Sequence, residues 1–404
     1  MTVLAIDGGK PVRTDIYPPW PFYDADEIKS AVKVLQSGKV NYWTGKEGRL
    51  FEKEFSDYIN ASHAVTVMNG SVALEAALIA LGIGNGDEVI VTPRSYIASA
   101  SCAVMRNAKP VFADVDPDSQ NITSATIEKA ITPRSRAIIA VHLAGWPCEM
   151  DPILALAIKH NLYVIEDCAQ ALGASYKGKQ VGSFGDIATF SFCQDKIITT
   201  GGEGGMVTTN NYNFWSKIWS YKDHGKNYEK IIDNNHPGPE FKWLHDSFGT
   251  NWRMTEIQAT IGRKQLRKLD AWLNKRRNNA AILTKEFLKI PSLRVTAPPR
   301  NVEHAYYKYY VFLKPEMLKP GWNQNKVIMA INAEGIPCYS GSCSEIYLEK
   351  AFGEEKLRPA LNLPIAKQLG ETSMMFLVHP TLSDSDMHDA AEAVKKVMSA
   401  AGKP

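Results

Sequence analysis

Just beyond the apolar runs in the first half of the chain stand Gly70-Ser71, Ser95-Tyr96, His142, Asp167 with Gln170, Ser191 and Lys196. A glycine lets a ligand approach the backbone closely, and a serine at a helix start offers a hydroxyl beside free amides, which suits a phosphate. Strand, Gly, Ser, helix is also how an ordinary βα unit caps itself. Asp167, in VIEDCAQ, follows an apolar run, where a carboxylate is costly to bury unless it meets a positive group. A protonated pyridine nitrogen would be that group; as an N-cap of the next residues, Asp167 would need none. Most lysines are solvated surface charges, but Lys196 follows the apolar run 187–192 and precedes IITT and GGEGG. Apolar and small neighbours disfavour its ammonium form and leave more of the nucleophilic free amine. The glycines permit a crowded backbone beside that amine, or form a simple turn. Phosphate cradle, ring-nitrogen partner and amine together describe a site for pyridoxal 5′-phosphate, in which Asp167 keeps the ring protonated and the cofactor an electron sink.

An alternation that starts near residue 60 positions these groups. The run 65–68 ends at Asn69-Gly70, and 71–81 repeats apolar residues at helical spacing with Ser71 as N-cap. Strand then helix follows again at 88–91 with 95–106, 111–115 with 124–131 and 137–141 with 151–160, and a fifth strand, 162–165, ends at Glu166-Asp167. This alternation predicts βαβ units, a mainly parallel sheet covered on both faces, and a site at the carboxyl ends of its strands. After residue 180 come strands without helices, 187–192 and 206–209, then an aromatic, Gly-rich connection through 225–252. A helix over 255–285, a strand over 306–313 and helices over 325–334 and 385–400 predict a smaller α+β part. A length of 404 residues suits two domains. Residues 1–255 are expected to form an N-terminal arm with a large cofactor-binding α/β domain, and 256–404 a linking helix with a small C-terminal α+β domain.

Hydrophobic residues at 45% and charged residues at 22%, with 28 Gly and 22 Pro, exclude disordered, collagenous and coiled-coil chains. The 46 Lys+Arg against 43 Asp+Glu are too nearly balanced for a protein devoted to nucleic acid or an anionic membrane, so neither partner is expected. Cys102, Cys148, Cys168, Cys193, Cys338 and Cys343 show no C-x-x-C pair and no histidine at ligand spacing, so no metal site is expected and the thiols read as those of a cytoplasmic protein. The N-terminus has no basic leader, and no stretch of ~18 apolar residues occurs, so neither export nor membrane spanning is expected.

From IDGGKPVR and NYWTGKEGRLFEKEFSDYINASHAVTVMNGSVAL, through EDCAQALGA, DIATFSF, Lys196 and TTGGEGG, to GTNWRMTEIQATIGRKQL and HAYYKYYV, the chain resembles the DegT/DnrJ/EryC1/StrS family of sugar aminotransferases, within the fold-type I pyridoxal phosphate enzymes. The resemblance implies a large domain with a mainly parallel, seven-stranded mixed sheet and a smaller C-terminal α+β domain. It implies that Lys196 carries the cofactor, Asp167 partners the pyridine nitrogen and Gln170 reaches the 3-hydroxyl side. Tyr96 would stack on the ring, and Gly70, Ser71 and Ser191 would hold the phosphate. Asn251, in GTNWRM, resembles a residue that reaches across a dimer interface to the neighbouring phosphate, which implies a homodimer with shared sites. Where many relatives place an aromatic residue and then Gly-Gln after the histidine strand, this chain has HLAGWP at 142–147. Substrate contacts are expected at His142, Trp146, His224, Arg253 and His304. The segment 220–252, with His224, His236 and His245, would line the substrate entrance or form a packing surface. The tyrosines in 306–310 would approach the sugar too, although strand alternation would send half of them into a core.

The implied reaction has two stages. L-glutamate gives its amino group to the cofactor, with Lys196 moving the proton, and leaves 2-oxoglutarate and pyridoxamine phosphate; a carbonyl sugar then takes up the amine by the reverse steps, with ping-pong kinetics. A cation should hold the donor carboxylate, with Arg253 and Arg94 as candidates. The expected acceptor is a nucleotide-linked deoxy-ketohexose for cell-surface polysaccharide or amino-sugar biosynthesis. The alternative is a free sugar acid such as an oxidised 3-deoxy-octulosonate of lipopolysaccharide. A dehydratase of this fold would carry histidine in place of Lys196, and a non-catalytic regulator should have lost Lys196, Asp167 and Ser191. A nicotinamide oxidoreductase would show G-x-G-x-x-G where MNGSVAL stands.

Overall fold

The structure, a computed structural model, describes residues 3–232, 243–360 and 363–403. The first half of the chain supplies β1 (His63–Val67), β2 (Glu88–Val91), β3 (Lys109–Phe112), β4 (Ser135–Val141), β5 (Tyr163–Asp167), the hairpin β6 (Ser175–Tyr176) and β7 (Lys179–Gln180), then β8 (Ile187–Ser191) and β9 (Gly205–Thr209). Seven of these form one sheet in the order β1-β9-β8-β5-β4-β2-β3. All neighbours from β8 to β3 are parallel, and only β9 runs against its two neighbours. β2, β9 and all but one residue of β4 are buried along their length, as a sheet covered on both faces requires. The sheet is the mainly parallel, mixed one expected, and its registers fix the site: Val141 lies opposite Asp167, and Asp167 opposite Thr189.

The chain then adds β10 (Leu293–Arg294), β11 (Val302–Glu303), β12 (Tyr309–Leu313), β13 (Cys338–Tyr339) and β14 (Ser373–Phe376). Four of these form an antiparallel sheet ordered β10-β12-β14-β13. Its core is shared with the helices Leu269–Phe287, Gln324–Ala333 and Asp384–Ala401 through Phe287, Ile331 and Val394. β11 pairs instead with β6, which ties the small part to the large one.

Three features differ from the sequence expectations. The helix Gly70–Leu81 is capped by Asn69, whose side chain accepts the Val72 N–H, so the Ser71 hydroxyl is left for other work. The helix expected over 255–285 is two, Glu256–Leu266 and Leu269–Phe287; next to the break the Lys268 ammonium meets Asp24, Asp26 and Glu27 at 2.7 to 2.8 Å. The first residues do not keep to the side of residue 255 on which they were expected. Leu4 joins the core of the small part, the Ala5 and Val12 N–H groups donate to the buried Glu334, and Arg13 pairs with Asp386 and Asp389. Among the described residues no helix is long and apolar enough to cross a membrane.

Candidate active site

The carboxyl ends of β5 and β8, the start of the helix Gly70–Leu81 and the turn before β12 enclose a cavity of about 910 Å³. Gly70, Ser71, Tyr96, Asp167, Gln170, Ser191 and Lys196 all line it, so all but one of the expected cofactor contacts converge. Gly70 sits where a side chain would not fit: a Cβ there would lie 2.7 Å from Ser191 Cβ. The glycine thus lets the helix start close over β8 and brings the hydroxyls of Ser71 and Ser191 to one end of the cavity, beside free helix amides. Tyr96 is 71% exposed, with its ring open to a planar ligand.

Asp167 is buried at the end of β5. It accepts from the Ser99 hydroxyl at 2.8 Å and the Ala169 N–H at 3.1 Å. Burial pushes its carboxyl above the ordinary value, and those two donors, with His142 and Lys196 further off, offset only part of the shift. No salt bridge satisfies it among the described residues, so a cationic ring nitrogen is the partner that would hold it ionised. Gln170 Oε1 accepts the Ala144 N–H at 2.8 Å, which leaves the Gln170 amide N–H groups free to donate.

Lys196 does not lie in the apolar enclosure expected of it. Its Nζ stands 3.1 Å from Asp195 Oδ1 and 3.3 Å from the Tyr307 hydroxyl, over the Tyr307 ring. The Tyr307 hydroxyl also donates to the other Asp195 oxygen. Burial pushes Asp195 up, but Lys196, the Tyr307 hydroxyl and Lys308 outweigh it and hold the carboxyl below its ordinary value. The apolar surroundings belong to the backbone that follows, with Ile197 and Ile198 buried and Trp20 Nε1 donating to the Lys196 carbonyl at 3.0 Å.

Of the residues expected to approach substrate, Tyr307 and Tyr310 line this cavity, and His142, Trp146, His224, Arg253 and His304 do not. His142 is fully buried: its Nδ1 accepts the Cys148 N–H at 2.9 Å and its Nε2 meets Glu166 at 3.1 Å. Trp146 packs edge-on against His304, and His304 stacks on Tyr306 with ring centroids 4.0 Å apart. Burial, with Arg277 adding, drops the His304 pKa to about 3, so it is a neutral packing residue. Arg253 is bound to Asp223 at 2.7 Å, and Arg94 is fully buried against Gln120 and the Ser342 carbonyl. His224 and Asn251 are exposed away from the cavity of their own chain, and His236 lies outside the described residues. Sequence reasoning missed Asp195, Lys308 and the wall formed by Tyr339, Gly341, Ser342, Cys343, Ile346 and Glu349. The first adjoins Lys196 and the second lies in a stretch already suspect, but the wall has no residue pattern to announce it.

A family model described as the DegT/DnrJ/EryC1/StrS aminotransferase family matches residues 21–395. The chain belongs to this family. The GDP-perosamine synthase of Caulobacter vibrioides is 37% identical over 367 residues, covering 88% of this chain and 92% of that one. The L-glutamine:2-deoxy-scyllo-inosose aminotransferase of Streptoalloteichus tenebrarius is 35% identical over 420 residues, covering 98% and 97%. Among solved structures, an aminotransferase from Psychrobacter cryohalolentis is 51% identical, covers 95% of this chain and 99% of its own, and superposes with a TM-score of 0.93. The protein is a pyridoxal phosphate-dependent aminotransferase of fold type I. Its cavity fits that cofactor: the buried carboxylate of Asp167 lacks a cation, the close approach at Gly70 opens a cradle with two hydroxyls, and Lys196 adds an amine to the same lining.

Proposed function

We propose that the protein transfers the amino group of L-glutamate to the carbonyl carbon of a nucleotide-linked deoxy-ketohexose in amino-sugar biosynthesis for cell-surface polysaccharide. The observation that carries this reading is the single cavity that joins Lys196, Asp167 and the Gly70-Ser71 cradle and still extends to the small-domain wall. At about 910 Å³ it lies near the top of the range of roughly 300 to 1,000 Å³ for small-molecule sites, which leaves room for a second ligand beside the cofactor. At Cys343 and Glu349 it meets a shallow depression of about 480 Å³ lined by Lys350 and Lys367 together with Glu345 and Glu371.

Bound pyridoxal phosphate would supply the electron sink that makes an α-proton acidic. The chain's own residues do the rest. Asp167 would hold the positive ring nitrogen, Gln170 would donate to the ring oxygen, and Ser71 and Ser191 would hold the phosphate. Lys196 Nζ would take the proton from the donor's α-carbon and pass it on to the cofactor carbon that receives the amine rather than back to the donor, with Asp195 and the Tyr307 hydroxyl orienting the amine. Asn251 and the 98%-exposed Phe248 lie on one segment that a second copy would cover, and a homodimer would bring Asn251 to the other copy's phosphate site.

The test is the absorbance of the purified holoenzyme. L-glutamate should convert a band near ~420 nm to one near ~330 nm, since the lysine-bound and amine forms of the cofactor differ in conjugation, and the right keto-sugar should restore the first band. L-glutamine, the donor named for the Streptoalloteichus relative, is run beside it. A holoenzyme that responds to neither amino acid would defeat the reading.

A further inference from the structure

We propose that Lys308 Nζ binds a carboxylate of the amino donor; this rests on the aminotransferase reading above. Among the described residues Lys196 and Lys308 are the lysines and arginines that line the cavity. Lys196 is committed to the chemistry. Arg253 and Arg94 have their own partners and lie outside the lining, and Arg276, fully buried, gives its Nη1 to the Tyr306 and Tyr307 carbonyls at 3.4 and 3.3 Å.

Lys308 differs from all of these in having no hydrogen-bond acceptor among the described residues. Its ammonium lies 4.8 Å from the centroid of the Tyr307 ring, the ring that Lys196 Nζ approaches to 5.0 Å. The nearby Asp195 carboxylate is held by Lys196 and the Tyr307 hydroxyl. A partly buried cation without an acceptor is costly, and an arriving carboxylate removes that cost. Consistent with this, burial lowers the Lys308 pKa to about 8; Asp195 opposes the shift, and Arg276 and Lys196 add to it.

The backbone is shaped for this exposure. In a regular strand Tyr307 and Lys308 would point to opposite faces. Here Tyr306 adopts φ of 47°, strand β12 begins only at Tyr309, and Tyr307 and Lys308 both reach the cavity. An amino acid donor must present its amino nitrogen where Lys196 works while its carboxylate is held nearby, and a cation that approaches the same tyrosine ring as Lys196 meets that demand.

The experiment compares wild-type, K308Q and K308R holoenzymes. Binding of glutarate, a dicarboxylate with no amine to react, is measured by calorimetry. The L-glutamate and L-glutamine half-reactions are followed by the loss of the ~420 nm band. In K308Q glutarate affinity should fall ~10- to 100-fold and the half-saturating donor concentration should rise by a similar factor with the limiting rate within ~3-fold; K308R should recover most of the loss. A loss for both amino acids assigns the α-carboxylate, and a loss for L-glutamate alone assigns the side-chain carboxylate. Unchanged half-saturation for both, in K308Q that still responds, overturns the proposal while leaving the aminotransferase reading intact. Loss of the cofactor band in both variants would make Lys308 structural and overturn it as well. A wild-type protein that responds to neither donor would instead defeat the aminotransferase reading.

Discussion

Glu166 stands beside Asp167 with its side chain directed away from the cavity, and replacing it by glutamine has a cost that the hydrogen bonds define. Its Oε1 accepts the Phe184 and Gly185 N–H groups at 2.7 and 2.8 Å, and its Oε2 accepts the Gly182 N–H at 2.9 Å and meets His142 Nε2 at 3.1 Å. Because the Cys148 N–H donates to His142 Nδ1, the ring proton lies on Nε2, so four donors converge on one fully buried carboxylate. Glutamine turns one of those oxygens into a donor. In one orientation Phe184 and Gly185 lose their acceptor, and in the other Gly182 and His142 do. Two buried donors without partners cost about 1 to 3 kcal/mol each, so E166Q should lose roughly 2 to 6 kcal/mol. For a chain of this length that is a drop of about 2 to 7 °C in the thermal midpoint followed by circular dichroism. The sign with pH also follows. Burial pushes the Glu166 carboxyl up, but His142 and the backbone amides outweigh it and the folded-state value lies below the ordinary 4.5. The unfolded chain therefore binds the proton first, and this stabilisation, present above about pH 4.5, is lost as pH falls through the folded-state value. E166Q should lack that acid-side slope. A midpoint within about 1 °C of wild type would refute the assignment of Glu166 and His142 as one buried structural unit.

Three further outcomes are expected. Gly70→Ala drives a Cβ to 2.7 Å from Ser191 Cβ, an overpacking of roughly 1 to 3 kcal/mol, and should weaken cofactor retention on dialysis by ~10-fold; unaltered retention would remove Gly70 from the cradle. Asp167→Asn keeps an acceptor for Ser99 but no charge for a ring nitrogen, so stopped-flow rates with L-glutamate should fall ~100-fold or more, and an unchanged rate would contradict the assignment. His304, with its pKa depressed to about 3, should show imidazole NMR signals that do not move between about pH 5 and 8; titration in that range would place it in contact with solvent or substrate.

The central sheet was legible because its strands are short runs rich in β-branched residues that alternate with helical patterns, and the site was legible because the ends of those strands are where a parallel sheet presents its chemistry. The helix break at 267–268 was not, since the sequence has no Pro or Gly there and the surface helix meets Asp24, Asp26 and Glu27 only in three dimensions. His142, Trp146 and His304 have residue types that suit a sugar, but whether a histidine faces a cavity or a core depends on the neighbouring layer: Glu166 and the Cys148 amide consume both nitrogens of His142. The left-handed Tyr306 carries no sequence signal, yet it decides that Tyr307 and Lys308 share the cavity. The wall from Tyr339 to Glu349 belongs to segments without periodicity, and only tertiary packing brings it to the active site.

The most direct test of the account is reduction of the holoenzyme with borohydride, before and after L-glutamate, followed by peptide mass analysis. The account predicts cofactor mass fixed on the Lys196 peptide before glutamate and absent from it after. Cofactor mass on another lysine, or on Lys196 equally in both samples, would contradict it.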